Sequence, residues 1–195
     1  MKRWIGVLIG VWFLVLVGLG CSPTSDTGPN GHGPISRDTP DHLLNFLAVA
    51  YADRDADKYD EAMHEKFQFV FTQDIAEELG LPPEQPWWGK TKDLASTVKM
   101  FNSSEVTQIL MDYVPEAERH WEAVDIERPD GSTYSGVFAR VEPDIRVTIE
   151  KPDEEPTTYV VNESWLDVYM VRDPNYPNEV LWVFLEIQEI PKNPE

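Results

Sequence analysis

The chain has 195 residues, with 35 acidic against 16 basic side chains and a formal net charge of −19. A surface that negative repels phosphate backbones and anionic headgroups, which excludes nucleic acid as a partner. Its single cysteine excludes an internal disulfide.

Met1-Lys2-Arg3 opens the chain, and Trp4 to Gly20 follows without a charged or strongly polar side chain, ending at Cys21. Two basic residues, an apolar run and a small residue before the boundary have the layout of a secretory signal. In detail the segment resembles the bacterial lipoprotein class. Gly20 is the small residue directly before the cysteine, although Gly18 stands where that class has Leu and Leu19 is displaced by one. The resemblance implies a signal peptide over residues 1–20 and lipidation of Cys21, which holds the rest of the chain on the outside of a membrane. More than one acyl chain on that residue would make the anchor stable. Ser22, where an Asp would favour the inner membrane, leans toward the outer membrane in a two-membrane host. An uncleaved anchor is the alternative, because about 17–25 apolar residues span a bilayer as helix and this run sits at the lower limit.

Residues 22–39 are rich in Gly, Pro, Ser and Thr and cannot bury enough surface to offset their ordering entropy. They read as a disordered tether behind Cys21, with a root-mean-square span of roughly 20–25 Å. His32 lies in this tether and is given no metal or catalytic role.

One domain is expected over residues 40–191. Leu43, Phe46, Leu47, Ala50 and Tyr51 recur at helical spacing after Pro40. A second helix is expected from Ala56 to His64, a strand through Phe67, Phe69 and Phe71, and a helical turn over Ile75–Leu79. A further helix should run from Thr91 to Phe101, with Leu94, Val98 and Phe101 on its inner face. Strands are then expected over Val106–Val114, Trp121–Glu127, Ile145–Glu150, Tyr159–Val171 and Val180–Ile190. Val180 to Leu185 is apolar at both parities, as in a strand covered on both faces. Three helices cover one face of a sheet, so the other face is expected to meet a second subunit.

The segments PDHLLNFLAVAYADRDADKYDEAMHEKFQFVF, WWGKTKDLASTVKMF, SWLDVYMV and VLWVFLEIQ, in this order, resemble the nuclear-transport-factor-2-like (ketosteroid-isomerase-like) superfamily. The resemblance covers roughly Pro40 to Ile190. It implies an α+β fold in which three N-terminal helices pack on a strongly curved, mostly antiparallel sheet, forming a cone with an apolar pocket and often a homodimer through the sheet. Fold alone does not confer function, and the superfamily holds enzymes, adaptors and binding modules.

Asp53-Arg54-Asp55-Ala56-Asp57 starts like a calcium loop, but Lys58 and His64 stand where such a loop needs Gly and Glu. Helix capping by Asp55 or Asp57 is the plainer reading. Enzymes of the superfamily set an aspartate or histidine base opposite tyrosine or acid donors. The corresponding candidates are His64, His120, Asp112, Tyr113, Asp167 and Tyr169, the last two sharing a face with Trp165. None is assigned as catalytic, since a lone strand Asp is more often wet and a lone His more often satisfied. Trp87 and Trp88 are candidate ligand contacts, as a pocket lid or a stacking surface, or else a plug in the mouth of the cone. Serine-hydrolase, P-loop, HExxH and cysteine–histidine metal patterns are missing, so neither metal nor cofactor is expected. The leading expectation is a non-catalytic, lipid-anchored extracytoplasmic module that binds a small apolar ligand or another protein. The runner-up is a cofactor-independent lyase, isomerase or hydrolase acting in the cone.

Overall fold

The computed structural model describes residues 36–113, 119–161 and 164–192. The signal, Cys21, His32 and the tether up to residue 35 lie outside the described residues, while residues 36–39, expected as the disordered end of that tether, are described and pack through Arg37. Helix α1 (Pro40–Asp53) starts at Thr39, whose side chain accepts from the His42 N–H, with Pro40 at the first helical position. It ends at Arg54 in the left-handed region (φ 54°), and the Arg54 N–H closes back onto the last turn. Asp55 then caps α2 (Ala56–Ala62), accepting from the N–H groups of Asp57 and Lys58. Strand β1 (Met63–Val70), α3 (Gln73–Glu78), β2 (Trp87–Gly89) and α4 (Lys90–Phe101) complete the N-terminal half. The rest is β: β3 (Val106–Tyr113), β4 (Glu122–Glu127), β5 (Thr133–Val141), β6 (Pro143–Ile149), β7 (Thr157–Val161), β8 (Ser164–Arg172) and β9 (Trp182–Pro191).

Hydrogen bonding divides the strands into a six-stranded sheet, β2-β1-β9-β8-β5-β4, and a three-stranded one, β3-β6-β7. Every pairing is antiparallel except β1 with β9. The helices pack along one side, α1 against β3 and α4 against β1. This is the α+β cone that the resemblance implies. Packing also reaches back before Pro40: Arg37 is buried, pairs with Asp173 at 3.0 Å and Glu61 at 2.7 Å, and its carbonyl accepts from the Trp182 N–H.

The structure departs from these expectations at four places. Strand β5 was not expected, because Ser135-Gly136 interrupts its apolar pattern. β7 and β8 are separate strands where one long strand was expected. Trp87-Trp88 pairs with β1 as strand β2 where a loop was expected. His64 lies in β1, not at a helix end, because α2 stops at Ala62.

The double-sided strand is β9, and the chain covers both faces itself. Trp182, Phe184 and Ile187 join the main core with Leu43, Phe67 and Met170, while Val183 and Leu185 join a second cluster with Ile126 and Val171. The cover is the β4–β5 hairpin. β4 is the far edge of the sheet, yet Arg128 at the hairpin turn donates to the Leu185 carbonyl at 2.7 Å and to Gln68 of β1 at 2.6 Å, and pairs with Glu186. Lys66 of β1 meets Asp130 of the same turn at 2.8 Å. A sheet whose sixth strand touches its second is strongly curled. Two-sided burial of β9 therefore gives no reason for a second subunit at Val183 and Leu185.

The curl requires close approach of β5 and β8. A Cβ on Gly136 would lie 2.2 Å from the Met170 carbonyl oxygen and 3.0 Å from Val171 Cγ1. Gly136→Ala is expected to cost about 3 kcal/mol, the upper end of overpacking penalties, or to abolish folding. Urea denaturation measures this; a loss below about 0.5 kcal/mol would mean that the two strands part easily.

Candidate functional site

The expected face of α4 was Leu94, Val98 and Phe101. The buried stripe is instead Asp93, Thr97 and Phe101, with Leu94 and Val98 half-buried. The helix therefore turns two polar side chains inward, toward Tyr51 of α1 and Tyr59 of α2. The Tyr59 hydroxyl donates to Asp93 Oδ2 at 2.6 Å. Tyr51 stands edge-on to both Tyr59 and Phe101, with ring centroids 5.5 Å apart in each case, and Tyr59 meets Phe101 at 6.2 Å. Tyr113 of β3 packs against the same core, its hydroxyl directed to Met111 Sδ at 3.3 Å.

Burial governs the chemistry of this cluster. It pushes the Asp93 carboxyl up to about 6, against the Tyr59 hydrogen bond, which pulls the other way. Burial also raises Tyr51 and Tyr59, reinforced by the Asp93 charge, and it raises Tyr113. Near neutral pH the group is thus three protonated phenols and one carboxyl whose titration, near pH 6, lies just below. Such a set can donate hydrogen bonds or exchange one proton, and it contains no cation. Asp93 and Tyr59 were missed because an acid in the first turn of a helix reads as a solvated complement to the helix dipole. The one available signal was the spacing of Asp93, Thr97 and Phe101 at four-residue intervals, a buried stripe disguised by polarity.

The sequence candidates do not converge. Asp167 is buried on the face of β8 away from the helices, held in a two-pronged contact by Arg140 Nε at 2.6 Å and Nη2 at 2.8 Å. Tyr169, two residues on, stacks at 5.0 Å on Phe138, and burial followed by the Asp167 charge raises its hydroxyl. His64 is buried edge-on to Tyr134 and its Nδ1 accepts from the Lys66 N–H, which places the neutral ring's proton on Nε2. Burial lowers the His64 pKa. His120 and Asp112 are exposed. Tyr113 alone among the candidates lies near the Asp93 cluster. Trp88 is buried against Phe71, Ile75 and Ala76, a satellite core beneath α3 and not the mouth of the cone, and Trp87 is half-buried beside it. Among the described residues no group of three or more His, Cys, Asp or Glu side chains could hold a metal ion, and no helix is long and apolar enough to cross a membrane.

No family model matches the sequence, and no curated protein does. Solved structures are similar. A dehydratase candidate of the nuclear-transport-factor-2-like family from Streptomyces avermitilis is 12% identical over 78% of this chain and 93% of its own, with a TM-score of 0.49. A nuclear-transport-factor-2-like superfamily protein from Salmonella enterica serovar Typhimurium is 5% identical over 78% and 87%, with a TM-score of 0.48. A protein from Planctomyces limnophilus is 14% identical over 76% and 91%, also at 0.48. Likeness at this level carries no activity across.

The Asp93 carboxyl gives a pH test. Its folded pKa lies above the 3.8 of an ordinary aspartate, so its burden on the fold is absent below about pH 4 and grows until about pH 6. The difference is on the order of 3 kcal/mol. Asp93→Asn should therefore match the wild type near pH 4 and exceed it at pH 7.5. Urea midpoints across that range check this, and parallel profiles would remove Asp93 as the titrating group.

Proposed function

We propose that the chain is a lipid-anchored extracytoplasmic module, held through Cys21, whose cone fold serves binding and not catalysis. The observation that carries this reading is the engagement of its acid–base candidates: Asp167 by Arg140, His64 by the Lys66 N–H and by Tyr134. His64 and Asp167 are each held by different partners, and His120 is exposed. The edge-to-face packing of Tyr51, Tyr59 and Phe101 favours contact at the surface over a large apolar ligand inside the cone. A homodimer through the outer sheet face fits the same reading, now through half-buried Phe138, Tyr169 and Trp165 in place of Val183 and Leu185.

A second reading has one observation in its favour. Asp93 and Tyr59, joined at 2.6 Å inside the helix layer, are an acid–phenol pair suited to a cofactor-independent lyase or isomerase. Native mass spectrometry of the protein extracted from its own cell envelope separates the two. A molecule that stays bound unaltered supports binding, and one converted by wild type but not by Asp93→Asn supports the enzyme.

Cys21→Ser is expected to move the protein from the membrane to the soluble fraction and to abolish incorporation of labelled palmitate. Unchanged partition would point to the uncleaved helix. For the dimer, sedimentation at high micromolar concentration should give twice the chain mass, and Tyr169→Glu should return a monomer. A monomeric wild type would count against the sheet interface.

A further inference from the structure

Beside β2, at the edge of the six-stranded sheet, lies an open groove of about 600 Å³, within the roughly 300–1,000 Å³ of small-molecule sites. β1, the segment after α3, β2 and the first turn of α4 form its walls. Trp88 is a fixed part of the wall, T-shaped on Phe71 at 5.0 Å with Lys92 Nζ 4.8 Å from its ring centroid. Its indole N–H is buried with no acceptor among the described residues. Trp87 is half-buried and leans over Gly89, where a Cβ would come within 3.6 Å of its Cζ3. The side-chain amides of Gln85 and of Gln68, whose oxygen accepts from Arg128, complete the polar lining with the Thr91 hydroxyl.

Charge in the groove runs against the rest of the molecule. In a chain of net charge −19, the groove is lined by three lysines, Lys66, Lys90 and Lys92, against one acid, Glu65. Lys90 is already committed, donating to the carbonyls of Asp60 and Met63 at 2.9 Å each and pairing with the Asp60 carboxylate at 3.0 Å. Lys66 pairs with Asp130 at an exposed, well-screened position. Lys92 makes no ion pair among the described residues, and no side chain caps the helix start beneath it. An aromatic face, a spare ammonium and two amides thus share one open groove.

We propose that this groove binds an acidic saccharide of the uronic-acid type, its ring stacked on Trp87 and its carboxylate paired with Lys92. A pyranose presents a face of C–H bonds to an electron-rich indole, and its hydroxyls suit the planar amides of Gln68 and Gln85. The negative charge of the ligand is read by Lys92, which lies over the Trp88 ring and makes no ion pair among the described residues. An acidic peptide fits less well, because β2 has only three residues of edge and cannot support an added strand. The proposal rests on the chain being a binding module but not on Cys21 or the anchor.

The test titrates the full-length protein in detergent micelles with trigalacturonate, using maltotriose and hexaglutamate as controls, read by calorimetry and tryptophan fluorescence. Trigalacturonate should bind, and both Lys92→Gln and Trp87→Ala should weaken it by at least about tenfold. Raising salt from about 50 to about 500 mM should weaken it several-fold. Trp87→Phe, which keeps an aromatic face, should retain most of the affinity, and unchanged melting temperatures would exclude unfolding as the cause. Equal affinity for maltotriose, preference for hexaglutamate, or no response to trigalacturonate at about 10 mM would each overturn the proposal. Membrane partition of Cys21→Ser is read separately, so failure of the groove and failure of the anchored reading are distinguishable.

Discussion

Strand β9 lies at the centre of the six-stranded sheet with apolar side chains on both faces, and both must be kept from water. The helices meet one face through Phe184 and Ile187; the other face carries Val183 and Leu185, which among the described residues pack against the β4–β5 hairpin through Ile126, Val124 and Tyr134. That requirement bends the sheet until its far edge returns to β1. Burial of each such side chain contributes roughly 1.5–3 kcal/mol, which offsets the entropy of fixing a long hairpin over the sheet. The curl in turn sets where the site residues lie: Asp167, Tyr169 and His64 on the outer side, Asp93 and the tyrosines within.

Bringing the hairpin across also buries charge. Arg128 at its turn is nearly inaccessible, and an unpaired guanidinium there would be costly. Glu186, Gln68 and two carbonyls meet it, although its Nε has no partner among the described residues. Arg37 plays a comparable part at the other end of β9, joining the residues before α1 to the β8–β9 connection through Asp173. In a chain with more than twice as many acids as bases, two of its few arginines are thus used inside the fold. This sharpens the contrast with the groove, where Lys92 is left without an acid.

The outcome for β5 and α4 has one cause in common. Periodicity of apolar residues identifies elements whose buried face is apolar, and it succeeded for α1, β3, β6 and most of β9. In β5 the pattern is interrupted at half-buried Gly136, where the neighbouring backbone fills the space a side chain would occupy. In α4 the buried face carries Asp93 and Thr97, because Tyr59 supplies a hydrogen bond that makes a polar residue tolerable there. Both exceptions depend on a partner more than 30 residues away in sequence.

Sequence by itself determined the α+β class, the run of helices followed by strands, an aspartate cap at Asp55 or Asp57 and the two-sided burial of β9, since each follows from local spacing, local polarity or simple hydrophobicity. It also carried the expectation of a lipidated Cys21, which rests on residues 1–21 alone. Tertiary structure decided what covers β9, which face of α4 turns inward, that Asp167 is held by Arg140, and that Trp87, Trp88 and Lys92 meet at one groove. These are contacts between segments distant in the chain. Their geometry is set by sheet curvature, which no stretch of sequence encodes locally.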